Sequence, residues 1–482
     1  MSMLWRTDVL CSAMSGRPLG VLPEGVTGIS IDSRTLQPGE AFFAIKGDLH
    51  DGHDFATAAI KAGAGVLVVS EGRLPALGRI TAPLIVVPDV LAALEAAGVA
   101  ARARSRAKII AITGSAGKTS TKEALRCALT ACGKVHASDK SFNNHWGVPL
   151  TLARMPEDCD YAVFEIGMNH PGEIRPLVSL VRPHIGVITL IAAAHLGHFA
   201  SLEEIAQAKA EIFEGIEPGG HALINRDDVL WQFLDKAAHD AGVEHVWGFG
   251  EHARATFRLA EYSAEGSGSR VIVKMAGRQV SAHIGAPGRH VAQNVLVVLG
   301  ASYLAGADLE KAATALARLK PEAGRGKQHR LAHPAGGQVI VIDESYNANP
   351  ASVKAALDLL RSAEVPAEGR RIAVLGDMLE LGAHSHQLHE SLAVLVEQAQ
   401  VDLALLAGTE MAALAQALPD GIPSKHHANV DELMPVLLET VRPGDVIMIK
   451  SSNGIGFSKL VAELLKKFPA AAKAVNTNGH VD

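Results

Sequence analysis

A lysine and a threonine placed side by side after a glycine turn can grip a nucleoside triphosphate, and the run Lys108-Ile-Ile-Ala-Ile-Thr-Gly-Ser-Ala-Gly-Lys-Thr-Ser-Thr121 holds that pair. Gly114 and Gly117 leave the backbone N–H groups around Ser115 and Ala116 free to approach phosphate oxygens. A helix starting at the turn adds its own unpaired donors and partial positive charge. Lys118 can reach the β- and γ-phosphates, while the hydroxyl of Thr119, with Ser120 beside it, can bind Mg²⁺. The helix is legible because Leu125, Ala128, Leu129 and Cys132 fall at i, i+3, i+4 and i+7. The usual first glycine of such a loop would stand at 112, where the chain has Ile112, so this is a shortened Thr-Gly-x-x-Gly-Lys-Thr loop.

Other residues could join that chemistry. Glu165 ends the apolar run Asp160-Tyr-Ala-Val-Phe-Glu165; a carboxylate at the carboxyl edge of a sheet can hold a hard cation, or be a solvated strand end. His195 and His198 follow another strand, and because Mg²⁺ prefers oxygen, chemistry alone favours hydrogen bonding over ligation for them. Lys209 sits in the helical pattern 201–213, with Ser201 as cap and Glu204 at the capping-box position, and alone reads as an exposed helix lysine. Arg325, in the turn Gly324-Arg-Gly326, is a bidentate partner for phosphate or a charged linker residue. In Asp343-Glu-Ser-Tyr-Asn-Ala-Asn-Pro350, Asn349 reads as an N-cap before an N1 proline and a buried stripe at Val353, Ala356, Leu357 and Leu360. Tyr346 and Asn347 are then the better site candidates. The histidines of 384–389 and 50–53 read as a solvated helix start and a loop, with His389 packing, rather than as metal centres.

The elements that must position these residues alternate strand and helix over 482 residues, too long for one core, so an α/β fold of three domains is expected. A small N-terminal unit, 1–106, carries short strands near 28–34, 41–45 and 65–69 and an Ala-rich helix at about 90–107. A central unit, 107–325, has a mostly parallel sheet with an antiparallel insert near 256–284. A Rossmann-like unit, 326–482, has apolar strands at 338–343, 371–375, 402–406 and 445–449 but no Gly-x-Gly-x-x-Gly. The tail from 470 has no periodicity and is expected to fray. A net charge of −6 with scattered aromatics argues against a nucleic-acid partner. Four cysteines without metal-ligand spacing fit a reducing cytoplasm, and the lack of any apolar run of about 18 residues argues against membrane insertion.

Together these motifs resemble the Mur ligase family, ATP-dependent amide-forming enzymes of peptidoglycan precursor synthesis, through nearly the whole chain. The resemblance implies that residues 113–120 form the ATP phosphate loop, that Thr119, Glu165, His195 and a carbamylated Lys209 serve a site for two Mg²⁺ ions, and that Lys118 and Arg325 act on the phosphates. It also implies that Asn294, in Gly288-Arg-His-Val-Ala-Gln-Asn294, meets the adenine side of ATP and that Asp343 meets the ribose. The wording of 343–350 and of Gly376-Asp-Met-Leu-Glu-Leu-Gly382 resembles the branch that joins D-alanyl-D-alanine to UDP-N-acetylmuramoyl-tripeptide. Ser33, Arg34 and Lys46 then face the uridine nucleotide, and Asn143, Asn144, Asn169, Tyr346 and Asn347 become substrate-side candidates, in a monomer. Near the end, Ser451 stands where the family often has glycine, and Gly456 or Phe457 where it has arginine. The alternatives are the sister branch that adds a diamino acid, folylpolyglutamate synthetase, a P-loop ATPase without a carboxylate acceptor, and a nucleotide-regulated binding protein.

Overall fold

In the computed structural model, which describes residues 2–78, 80–139, 141–194 and 196–471, the strand Lys108–Thr113 runs inside a nine-stranded sheet between Tyr161–Glu165 and Ile185–Ile188, parallel to both. Ile109 to Ile112 are all fully buried, as expected of a strand covered on both faces. Ile112 pairs with Glu165 and Val187, so the residue at the missing glycine position is core strand and the turn begins after it. One face is covered by the helices Lys118–Thr130 and Arg289–Leu304, and the other by Ile174–Val181 and Leu202–Ala210. Leu125, Ala128 and Leu129 point into the first of these layers, while Cys132 lies beyond the helix end and is only half-buried. The antiparallel insert is present as Phe257–Glu265, Gly268–Met275 and Arg278–Ile284.

The N-terminal unit is a five-stranded sheet in which Ile29–Ser30, Ala41–Phe43, Val66–Ser70 and Leu84–Val87 are parallel and Arg17–Leu19 is an antiparallel edge. Its helix Val90–Arg104 stops three residues before the expected end, because Ser105 turns to an extended conformation that leads into the phosphate-loop strand. Leu150 and Ala153 of the central unit join the core of the first, and Trp5 Nε1 donates to the Ala153 carbonyl at 2.8 Å. The third unit is a six-stranded sheet, parallel except for its edge strand Lys327–Ala332. The tail departs from expectation at its start: Ala470 bridges Leu331, and the Ala471 N–H donates to the Arg330 carbonyl. Residues 472–482 lie outside the described residues. No helix among the described residues is long and apolar enough to cross a membrane.

Candidate functional site

The phosphate loop is built on two glycines whose backbone conformation and close neighbours oppose any side chain. Gly114 has φ +148° and a Cβ there would lie 1.9 Å from Thr189 Oγ1; Gly117 has φ +82° and a Cβ there would lie 3.0 Å from Asn294 Oδ1. Thr189 is the brace: its hydroxyl donates to the Ala116 carbonyl at 2.6 Å, from the end of the neighbouring strand. Ser115 adds a second brace, its hydroxyl donating to the Ala192 carbonyl at 2.9 Å. Lys118 Nζ donates to the Gly114 carbonyl at 2.7 Å, folding over the loop it belongs to. Loss of water around its ammonium pushes its pKa below the ordinary lysine value; Glu165 opposes that shift and Arg325 adds to it.

Glu165 is no solvated strand end. It is 1% exposed, its Oε2 accepts from Thr119 Oγ1 at 2.9 Å and its Oε1 from Asn143 Nδ2 at 2.7 Å. A carboxylate and a hydroxyl converging at the lip of a phosphate loop are hard oxygen donors, the set that suits Mg²⁺. Lys209 is likewise not the exposed helix lysine its sequence suggests. Ser201 and Glu204 do cap its helix, the Ser201 side chain accepting from Glu204 N–H and the Glu204 carboxylate from Ala200 N–H, but Lys209 lies among the buried residues of that helix, at 1% exposure. Burial first, and the charge of Lys118 second, hold its amine well below the usual lysine range. Among the described residues no hydrogen bond or ion pair reaches it. His195 lies outside the described residues; His198 packs its ring on His170 at 4.4 Å.

Across from the loop, the third unit closes a cleft of about 1110 Å³. Ser115 to Ser120, Asn143, Glu165, Asn169, Asn294, Arg325, Tyr346 and Asn347 all line it. The Arg325 guanidinium lies 4.1 Å over the Tyr346 ring, and both residues reach Ser141 Oγ, at 3.4 and 3.1 Å. Ser141 and Lys450 are cleft residues that sequence reasoning passed over. Lys450 is buried, its Nζ donating to Glu344 at 3.3 Å and to the Asn347 carbonyl at 2.9 Å. Asn349 is the N-cap as expected, and its amide also donates to the Ser115 carbonyl at 3.1 Å.

Several expected site residues lie apart from that cleft. Asp343 is 4% exposed, with one oxygen on Gly324 N–H at 2.7 Å and the other on Ser345 N–H and hydroxyl, so it ties down the turn carrying Arg325. Asn144 is exposed and its side-chain oxygen accepts from Gly147 N–H at 2.9 Å, which makes it a helix-start residue. Ser33, Arg34 and Lys46 lie on loops beyond the carboxyl ends of Ile29–Ser30 and Ala41–Phe43, with Arg34 paired to Asp32. Gly47 is next to Trp146, whose ring a Cβ there would meet at 2.7 Å, so this edge faces the 141–146 loop. Each histidine cluster has one structural member: buried His389 accepts from Met378 N–H, and buried His53 sits between Asp51 and Ser70 N–H, while His50, His384 and His386 are exposed.

Models of three Mur ligase domains match the chain in order: the Mur ligase family catalytic domain over residues 25–102, the middle domain over 112–302 and the glutamate ligase domain over 329–453. The UDP-N-acetylmuramoyl-tripeptide--D-alanyl-D-alanine ligase of Rickettsia prowazekii is 35% identical, the match covering 90% of this chain and 94% of that protein. The Escherichia coli enzyme of the same name is 34% identical, over 95% and 97%. Among solved structures, MurF from Acinetobacter baumannii superposes with a TM-score of 0.82 at 28% identity, over 96% of this chain and 99% of that one.

Proposed function

The chain belongs to the Mur ligase family, and from that premise we propose that it joins D-alanyl-D-alanine to UDP-N-acetylmuramoyl-tripeptide at the expense of ATP, in peptidoglycan precursor synthesis. The observation that carries this reading is the cleft itself: a phosphate loop on one unit, with Arg325 at that unit's far boundary, faces Tyr346 and Asn347 on the next, so a phosphate and an amine acceptor can meet there. The tripeptide precursor runs from the edge bearing Ser33, Arg34 and Lys46, along the 141–146 loop and Asn169, to the phosphates. Its nucleotide end and its reacting carboxylate thus belong to different units.

A carboxylate does not condense with an amine at neutral pH, because its carbon is a weak electrophile and oxide a poor leaving group. The terminal carboxylate of the tripeptide attacks the γ-phosphorus in line; the bond from that phosphorus to the β–γ bridging oxygen breaks, giving an acyl phosphate and ADP. The amine of the dipeptide then attacks the acyl carbon, loses its proton, and phosphate leaves. Lys118 and Arg325 neutralise charge on the transferring group, and Gly114 to Ser120 hold the phosphates in register. Thr119 and Glu165 are the residues that fit Mg²⁺, which when bound supplies further charge neutralisation at the phosphate oxygens. Lys209, whose burial favours the neutral amine, is able to take up CO₂ as a carbamate and so become an anionic oxygen donor for a second ion; the family resemblance adds His195 to that set. Asn294, against Gly117, marks the adenosine side. We assign the enzyme to the cytoplasm, where ATP and nucleotide-linked precursors are made, and take it to work as a monomer.

Purified enzyme given ATP, Mg²⁺, the tripeptide precursor and a panel of amine acceptors should release phosphate and form product with D-alanyl-D-alanine, and with free diamino acids far less. Lys118→Ala should abolish both readouts. Phosphate release that needs no carboxylate substrate would move the chain to the simple ATPases.

A further inference from the structure

The proposed reaction leaves the base of the nucleotide without a partner beyond Asn294, and the antiparallel insert supplies one. In Phe257–Glu265 the side chains of Phe257 and Leu259 are buried against the central core. Strict alternation would put Glu261 on that same face. The ladder slips instead: Leu259 pairs with Val273 and Glu261 with Ile272, which leaves Ala260 as an extra residue. The bulge sends Ala260 and Glu261 to solvent and brings Tyr262, opposite buried Val271, onto the inner face. There the ring is half-buried, one side packed on the core, and it lines the nucleotide cleft.

What surrounds Tyr262 is ordered by a single carboxylate. Glu251, just past the carboxyl end of the strand His245–Gly250, pairs with Arg289, whose guanidinium stands 5.6 Å from the Tyr262 ring centre. Glu251 Oε1 also accepts from Gln293 Nε2 at 3.2 Å. A carboxylate only accepts, so the Gln293 amide nitrogen is fixed toward it and the amide oxygen is left to face elsewhere. Gln293 lines the cleft and directly precedes Asn294, which touches the phosphate loop at Gly117.

The geometry points to Tyr262 as the stacking face for the purine base of the nucleotide and to the Gln293 oxygen as the acceptor that selects adenine, with Glu251 and Arg289 as positioning residues. Adenine offers an amino group at C6, a donor to that oxygen, whereas guanine places a carbonyl there and the two acceptors repel. This rests on the ligase reading for the presence of ATP, but the test does not depend on turnover. Binding of a non-hydrolysable ATP analogue and its guanine counterpart to the full-length protein is measured by calorimetry, with no carboxylate or amine substrate present. Tyr262→Ala should weaken the adenine analogue about tenfold or more, the scale of base–aromatic stacking. Tyr262→Phe should bind as the parent does, and Tyr262→Leu, which keeps apolar bulk for folding, should bind as the alanine variant does. Gln293→Met should cut the adenine-to-guanine preference about fivefold, the loss of one hydrogen bond. Unchanged affinity in Tyr262→Ala and Tyr262→Leu, or an intact preference in Gln293→Met, overturns the assignment. Failure of the ligase assay with these binding results intact would count against the reaction alone.

Discussion

The Lys209 amine is kept from water by burial and lies close enough to a second cation, Lys118, to feel its charge, so protonation is opposed twice. A neutral amine is the form that adds to CO₂, and carbamate formation releases a proton, so occupancy should fall as pH falls. Lys209→Ala should lose activity by roughly 10- to 100-fold, the usual effect of removing a support from a metal site. Short carboxylates such as formate should restore part of it, and should restore nothing to Lys118→Ala. In the parent enzyme, removal of dissolved CO₂ should lower turnover, more at pH 6 than at pH 8, with recovery on adding bicarbonate. Full activity of Lys209→Ala without added carboxylate would remove the carbamate from the site. The type of residue was legible at 209 while its burial was not: a lysine in a capped helix looks solvated until the sheet it packs on is known.

Among the elements, the strand–turn–helix of the phosphate loop could be read directly, because the apolar run, the glycines and the helical stripe all agree locally. What could not be read is where local grammar serves two purposes. Asn349 satisfies the capping pattern completely, yet its amide also crosses to the Ser115 carbonyl of another unit. Asn144, a substrate-side candidate, also gives its side-chain oxygen to a helix start. Tyr262 reaches the cleft only through a bulge at Ala260, and no glycine marks that position. The two roles of Asn349 can be separated. Asn349→Ser keeps an oxygen for the cap but cannot reach Ser115, so the unfolding midpoint of the third unit should stay near the parent value while KM for ATP rises. Asn349→Ala should add about 1 kcal/mol of lost stability, the usual cost of removing a cap. Equal KM values for the parent and Asn349→Ser would show that the crossing contact is idle.

At the scale of the whole molecule, the reaction needs a water-free space, because water hydrolyses an acyl phosphate, and three separately folded units must meet to make one. One contact that joins the second and third units, at residues 196–197, is glycine on glycine. Gly197 N–H donates to the Glu380 carbonyl at 2.8 Å, and a Cβ on Gly382 would sit 2.8 Å from Gly197 Cα, backbone against backbone. Gly382 also has φ +57°, and Glu380, two residues earlier, holds φ +65° without being glycine. This packing tolerates no added atom without parting the units. Gly382→Ala should therefore lower turnover about 10- to 100-fold, the scale of an ångström-sized misplacement of reacting groups, while affinity for ADP stays within about threefold because the phosphate loop braces are untouched. Gly336→Ala supplies the control: it shares a positive φ but has nothing within 4 Å of the added carbon, so it carries backbone strain without the contact. X-ray scattering should show the parent contracting when ATP analogue and tripeptide precursor are added together, and Gly382→Ala contracting less. Parent-like turnover in Gly382→Ala would mean that the chemistry proceeds without this contact, and closure would then have to depend on the Arg325, Tyr346 and Ser141 cluster instead.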